Sequence, residues 1–197
     1  MKEYKISENE NLVSIVLLCW NRLEDVMISL KKLKNINGIF EIILVDNAST
    51  DETVSCVEEK YKDVKIINLY KNIGIAGWNE GVKMAACDYV ILLDDDCYPS
   101  PDSIEFMVEK FQSDRMLGVC AFDVRSRDFY DKSSTTNLDK NSMKAEDFGT
   151  GFNGACVGVR KDIFLSVGSF DKDFFLYMNE ADCTLRIRQL NLSVKFF

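Results

Sequence analysis

Residues 12–33 read LVSIVLLCWNRLEDVMISLKKL, and the change of period inside that stretch decides the fold. Residues 12–19 form an unbroken run rich in Val, Ile and Leu, the pattern of a strand buried on both faces. Beyond it Leu23, Val26, Met27, Leu30 and Leu33 recur at spacings of three and four, which predicts a helix with one apolar face. The alternation continues outward. Residues 41–46 (EIILVD) predict a second strand. Ser49-Thr50-Asp51-Glu52 then opens a second helix through a capping box, with Ser49 at the N-cap and Glu52 three residues on. Residues 64–69 (VKIINL) predict a third strand, Ile75, Trp78, Val82 and Ala85 one face of a third helix, and residues 89–93 (YVILL) a fourth strand. The order β-α-β-α-β-α-β predicts an α/β protein with a mostly parallel central sheet flanked by helices.

The second half is less regular. After Pro99 and Pro101, the two prolines of the chain, come a predicted helix near 102–112 and a strand near 117–124. The polar stretch 125–147 is long for a connection inside one domain and reads as a functional lid or a disordered segment. GTGFNGACVGV (149–159) reads as a glycine-rich strand, followed by a helix near 161–166, a helix starting near Asn179 and a final strand-like run, LSVKFF. The 197 residues fit one domain spanning 1–197.

Composition removes several function classes. Lys and Arg number 24 against 32 Asp and Glu, a net charge of −8, which opposes nucleic-acid binding. The same acidity opposes adsorption to an anionic membrane by bulk charge, and leaves open peripheral membrane association through a local basic patch. There is no histidine, so catalytic dyads and triads built on His and His-ligated metals are excluded within this chain. Acid–base chemistry here must use carboxylates. Seven singly spaced cysteines, with no C-x-x-C pair, fit reduced thiols in apolar runs rather than zinc or disulfide frameworks. The N-terminal MKEYKISENE has no signal-peptide core, and LVSIVLLCW is far shorter than the ~20 residues that span a bilayer. The expectation is a soluble, cytoplasmic protein.

In open parallel sheets ligands bind at the carboxyl ends of strands, near a switch in strand order. That rule ranks three strand ends: Trp20-Asn21-Arg22, Asp46-Asn47 and Asp94-Asp95-Asp96. Alternation would set Asp94 and Asp96 on one side and Asp95 on the other. Two converging carboxylates with no basic partner repel, and hard oxygen donors of this kind suit Mg²⁺ or Mn²⁺; the competing reading is a solvated turn before the helix at Pro101. Asp46 ends an apolar strand where a structural acid has little to do, whereas Asp51 and Glu52 are accounted for by capping. Trp20 is either core or a flat surface for a nucleobase. Gly77 and Gly81 lie four apart, each costing ~1 kcal/mol relative to alanine, so they admit either a ligand or a closely packed neighbour. Asn179 is a plausible N-cap, and Asp182 can pair with Arg186 four residues on. Glu180 is less accounted for.

Together these stretches resemble the family 2 glycosyltransferases, inverting enzymes of the GT-A type nucleotide-diphospho-sugar transferase fold. The resemblance is carried by SIVLLCWNR, EIILVDNASTDET, NIGIAGWNEGV, YVILLDDDCYP and GFNGACVGVRKDIFLSVGSFDKDFFLYMNEADCTLRI, in family order. The second half looks most like rhamnosyltransferase-type members. The resemblance implies a hexosyl transfer from a nucleoside-diphosphate sugar, of UDP or dTDP type, to a glycan, lipid-linked or protein acceptor, as in polysaccharide biosynthesis. It implies residues 1–100 as a nucleotide-binding half and 101–197 as an acceptor and catalytic half, shortened at its C-terminal end. Trp20, Asn21 and Asp46 would face the base, Asn72 and Gly74 the donor, and Asp94 and Asp95 the donor side of the acidic cluster. Asp94 and Asp96 fall on the family's D-x-D metal motif, with manganese or magnesium as cofactor. Glu180 falls on the catalytic base, and Asp182 in the same acidic segment is taken with it as a catalytic residue. Two departures stand out: Asn179 replaces the first acid of the usual pair, and Cys19-Trp20 replace the residues common before the first Asn-Arg.

The implied mechanism needs no enzyme nucleophile: Glu180 removes the acceptor proton while the oxygen attacks the anomeric carbon. A nucleotidyltransferase would show an N-terminal glycine-rich phosphate loop, and LLCWNR has no glycine. A non-catalytic, degenerate nucleotide-sugar binding protein stays open as the alternative, and transfer assays separate the two.

Overall fold

The computed structural model describes residues 13–37, 39–122, 152 and 154–197. Seven strands form one sheet in the order β3-β2-β1-β4-β6-β5-β7. They are β1 (Val13–Cys19), β2 (Ile39–Asp46), β3 (Lys65–Asn68), β4 (Tyr89–Asp94), β5 (Leu117–Ala121), β6 (Cys156–Arg160) and β7 (Ser193–Phe196). β1 to β4 are mutually parallel, β6 runs antiparallel to both β4 and β5, and β7 is parallel to β5. The helices are α1 (Leu23–Leu33), α2 (Thr53–Lys60), α3 (Gly77–Met84), α4 (Pro101–Ser113), α5 (Lys161–Ser166) and α6 (Asn179–Gln189). The expected α/β class with a mostly parallel sheet holds. The polar stretch 125–147, the N-terminal MKEYKISENE and the glycines at 149 and 151 lie outside the described residues.

The continuous apolar run of β1 is explained by its two buried faces. Val13, Ile15, Leu17 and Cys19 join a core with Val26, Leu30 and Leu33 of α1 and Met107 and Phe111 of α4. Val16 and Leu18 join the opposite core, with Trp78 and Val82 of α3, Phe164 of α5 and Cys183 and Ile187 of α6. Ser14 is the polar exception; its hydroxyl donates to Glu41 (2.6 Å) and accepts from the Cys87 N–H (3.1 Å), so nothing polar is left unpaired there. All seven cysteines are free thiols, and Cys19, Cys87, Cys120, Cys156 and Cys183 are buried. No helix among the described residues is long and apolar enough to cross a membrane.

Two helix starts differ from the sequence reading. The capping box at Ser49 does not form. α2 begins at Thr53, the Asp51 carboxylate accepts the Thr53 N–H (3.1 Å), and the Ser49 hydroxyl is drawn away to accept the Asn21 N–H (2.8 Å). Asn179 is not an N-cap either. Met178 holds that place at φ 71°, and Asn179 is fully buried in the first turn of α6.

Strand order reverses beside β1, because β2 and β3 lie on one side of it and β4 on the other. The crevice at such a switch is where ligands bind, and here it opens between Trp20-Asn21-Arg22 and Asp94-Asp95-Asp96.

Candidate active site

The chain leaves β1 through Asn21, whose φ of 55° turns it sharply toward α1. Asn21 is fastened there: its N–H donates to the Ser49 hydroxyl (2.8 Å) and its side-chain oxygen accepts the Thr50 N–H (2.7 Å). It therefore joins the loops after β1 and β2, an anchoring role that its place at a strand end did not disclose. Trp20 is 52% exposed and so is no part of the core. Asp46 is fully buried. Its carboxylate accepts the Ser49 N–H (2.9 Å) and the Cys19 thiol (3.5 Å), which gives this acid a structural task in folding its own loop. Burial, reinforced by Asp46, pushes the Cys19 thiol far up, so it stays protonated and donating.

The acidic cluster is arranged differently from a simple alternation. β4 ends at Asp94, and Asp95 and Asp96 lie in the turn beyond it. The two latter acids share a basic partner. Arg22 approaches Asp95 (3.6 Å) and Asp96 (3.1 Å) as well as Asp25 on its own helix (3.0 Å). The expectation of acids without a basic partner is thus corrected: the alternation ends with the strand, and Arg22 reaches across from β1. The Asp95 backbone carbonyl accepts the Ser29 hydroxyl (2.8 Å), fixing the turn to α1. Burial pushes Asp94 up to about 6, with Asp96 and Glu180 adding to the rise and Arg22 opposing it. Burial likewise pushes Asp95 up to about 7 against Arg22, with Asp96, Asp94 and Asp25 adding.

Among the described residues no group of three or more His, Cys, Asp and Glu side chains is placed to hold a metal ion by itself. Asp94 and Asp96 are hard oxygen donors in a cluster whose negative charge one guanidinium leaves uncompensated. That donor set fits Mg²⁺ or Mn²⁺, which keep several waters and take substrate phosphates as further ligands.

The glycine-rich segment is an assembly of backbone contacts. Asn72 accepts the Gly74 N–H (2.8 Å), and Asn47 accepts the Ile73 N–H (2.9 Å) while donating to the Gly74 carbonyl (2.9 Å). Asn47 is a buried clamp that the sequence reading missed, its only signal being a place directly after Asp46. Gly74 has φ 65°, and a Cβ there would lie 1.9 Å from the Phe175 carbonyl oxygen. The Ile75 N–H donates to that same oxygen (2.8 Å). Gly74 therefore joins the segment after β3 to the segment before α6. At Gly77 and Gly81 an added Cβ would meet Leu18 and Val16 of β1, so these two glycines serve close helix–sheet packing.

Glu180 stands half-buried in the first turn of α6. Its Oε1 is 2.8 Å from where a Cβ on Gly154 would be, and the Trp78 ring edge is 3.4 Å from the same point. Trp78 is itself fixed by its ring N–H donating to the Leu93 carbonyl (3.0 Å). Glu180 is thus brought within electrostatic reach of Asp94 at the end of β4. Asp182 points elsewhere: its carboxylate accepts from Arg186 (2.9 Å to Nε), and Arg186 also holds the Ser169 carbonyl (2.7 Å). The pairing expected at i,i+4 forms. Beside Glu180, neither polar atom of the Asn179 amide has a hydrogen-bonding partner. Ahead of α6, Phe174, Phe175, Leu176, Tyr177 and Met178 are all exposed, an unbroken apolar run that leads into the helix carrying Glu180.

Known proteins resemble this chain in sequence and in fold. The family model for glycosyl transferase family 2 matches residues 14–179. A poly-beta-1,6-N-acetyl-D-glucosamine synthase of Staphylococcus epidermidis is 33% identical over 119 residues, covering 58% of this chain and 29% of the relative. Its Staphylococcus aureus counterpart is 31% identical over 121 residues with the same coverages. The chain thus spans less than a third of the length of these curated relatives. Among solved structures, the mannosyltransferase PcManGT of Pyrobaculum calidifontis in complex with GDP-Man and Mn²⁺ superposes with a TM-score of 0.70 at 20% identity, over 94% of this chain and 56% of that one. Residues 1–349 of S. aureus TarS in complex with UDP superpose with a TM-score of 0.67 at 16% identity, over 94% and 57%. At these identities the superpositions establish the fold, which is that of the GT-A glycosyltransferases.

Proposed function

The chain belongs to glycosyl transferase family 2, and from that premise we propose that it moves a sugar from a nucleoside-diphosphate donor to an acceptor hydroxyl in one inverting displacement. The observation that carries the proposal is that Glu180, in the first turn of α6, lies against Gly154, next to Ala155, whose carbonyl accepts the Asp94 N–H (3.0 Å) at the end of β4, so that the two carboxylates are electrostatically coupled. One carboxylate faces the side where an acceptor would enter, and the other belongs to the cluster suited to the donor. Glu180 takes the proton from the acceptor hydroxyl, whose oxygen forms the bond to the anomeric carbon. The bond to the diphosphate breaks on the opposite face, and the diphosphate leaves with the electron pair. Mn²⁺ or Mg²⁺ held by Asp94 and Asp96 would supply charge neutralisation for that leaving group.

In this reading residues 1–100 form the nucleotide half and 101–197 the acceptor half. Trp20 offers its exposed ring to the base of a UDP or dTDP donor, with Asp46 behind it. The bound nucleotides named for PcManGT and TarS support a nucleotide-sugar donor, and the named product of the staphylococcal relatives supports a glycan acceptor. The exposed run from Phe174 to Met178 gives an acceptor an apolar wall beside Glu180, and it is the surface through which peripheral membrane association would occur. Seven free thiols support a reducing, cytoplasmic setting.

The test is a thermal-shift screen of UDP, dTDP and GDP with Mn²⁺, with Mg²⁺ and with EDTA. A nucleoside diphosphate should raise the melting temperature far more with metal than with EDTA, and Asp96→Asn should remove the difference. Equal stabilisation with and without metal overturns the assignment of Asp94 and Asp96.

A further inference from the structure

Among the described residues Arg22 is the one side chain in contact with both acids of the turn after β4, and it makes those contacts from the far side of the crevice. Its Nη2 donates to Asp96 Oδ2 (3.1 Å), and its Nε lies 3.6 Å from Asp95 Oδ1 and 3.0 Å from Asp25 Oδ2. The other oxygen of Asp96 accepts the Cys97 thiol (3.4 Å), so each carboxylate oxygen of Asp96 has a protein partner while the side chain stays half exposed. The backbone that aims Arg22 is fixed by the sharp turn at Asn21 and its two bonds to the loop after β2. Arg22 and Asp96 are 74 residues apart in sequence, so a locally convenient surface pair does not account for the contact.

The charge balance defines what such a residue can do. One guanidinium faces three carboxylates, so the group keeps a net negative charge with Arg22 in place. With Asp94 beside them the excess of negative charge is larger still, and a dication added to the group offsets most of it and makes the guanidinium's share of Asp96 dispensable. Arg22 is also 47% exposed, free to swing on its own stem, and its planar fork matches a phosphate as well as it matches a carboxylate.

We propose that Arg22 is a positioning residue with two partners in turn: it holds Asp95 and Asp96 in place until a divalent cation takes Asp96, and then turns its guanidinium to the diphosphate of the donor. This rests on the reading of Asp94 and Asp96 given above and adds to it a residue and an order of contacts. The consequence is a pair of opposite effects. Without Arg22 the cation has no competitor for Asp96, and removing a unit positive charge from about 5 Å away strengthens dication binding by about tenfold even at water-like screening. The nucleotide diphosphate, by contrast, loses a charged partner and binds more weakly.

The experiment measures Mn²⁺ affinity by the paramagnetic resonance signal of the free ion, in the protein as it is, in Arg22→Gln and in Arg22→Lys. UDP affinity is then measured in saturating Mn²⁺. Arg22→Gln should bind Mn²⁺ alone about tenfold more tightly and UDP several-fold more weakly. Arg22→Lys keeps the charge and the fold but cannot span two acids, so it should show a two- to threefold tightening of Mn²⁺, roughly, and recover part of the UDP affinity. A merely structural Arg22 would leave Mn²⁺ binding unchanged or weaken it, and either result in both variants overturns the proposal. Absence of Mn²⁺ binding in the unsubstituted protein, with UDP present or not, would instead overturn the underlying metal reading and the exchange with it.

Discussion

Gly74→Ala tests the link between the donor-side segment and the helix that carries Glu180. The added Cβ would stand 1.9 Å from the Phe175 carbonyl oxygen and 2.6 Å from its carbon. These are backbone atoms, so no rotamer change relieves the contact. The residue must also hold φ 65°, which costs an L-amino acid roughly 1–2 kcal/mol. Separating the segments breaks the hydrogen bond from the Ile75 N–H to Phe175 (2.8 Å), worth about 1 kcal/mol net. The sum is a loss of about 2–3 kcal/mol, read as a lower urea midpoint at unchanged slope. Phe175 itself sits at φ 51° and opens the run that leads into α6, so transfer should fall along with stability. Gly77→Ala is the comparison, because its Cβ meets the movable end of the Leu18 side chain (2.5 Å) and the Asn47 amide at ordinary contact distance (3.6 Å), with no backbone clash. A Gly74→Ala protein within about 0.5 kcal/mol of the parent would refute the reasoning and return Gly74 to open approach by the donor.

Trp20→Ala should weaken nucleotide binding several-fold, since a stacked ring contributes on the order of 1 kcal/mol, and should leave the melting temperature nearly unchanged because Trp20 is half exposed; unchanged affinity by titration would remove Trp20 from the base site. Asp182→Asn should cost at most about 1 kcal/mol in urea unfolding, the Arg186 pair being partly solvated, and should spare turnover; loss of turnover in a folded protein would exchange its role with that of Glu180. Burial raises the pKa of the Glu41 carboxyl, but hydrogen bonds from Lys65 (2.5 Å), Ser14 (2.6 Å) and Ala86 (2.5 Å) outweigh that and hold it below the ordinary carboxylate range. Its contribution is therefore present above the unfolded carboxylate pKa and is lost as pH falls through the lowered folded value. Melting curves from neutral to acid should show Glu41→Gln less stable near neutrality and converging with the parent at low pH; a gap that stays constant would contradict this.

The first four strands and three of the helices between and after them could be read from periodicity because each is a long, strongly patterned segment with one or two buried faces. What sequence could not supply was partnership across distance. Arg22 stood in the sequence only as part of a strand end, because Asp95 and Asp96 lie more than seventy positions away. Ser49 has the composition of a cap but is claimed by Asn21, a tertiary contact that overrides a local preference. The spacing of glycines announced close approach without saying to what, and the answer differs between neighbours: Phe175 for Gly74, β1 for Gly77 and Gly81. The reversed direction of β6 was likewise hidden, since a short strand of small and β-branched residues pairs equally well either way. Glu180 was legible for a different reason. Capping and pairing explained Asp182 and left Glu180 over, and it is Glu180 that is electrostatically coupled to Asp94.

The central claim is that Glu180 takes a proton from the acceptor. Its most direct test is turnover of Glu180→Gln against the parent under saturating nucleotide sugar and metal, with donor affinity measured on the same preparations. The amide keeps the shape of the side chain and cannot accept that proton, so transfer should drop by ~10²–10⁴-fold while donor Kd stays where it was. A Glu180→Gln protein that transfers sugar at the parent rate would contradict the account.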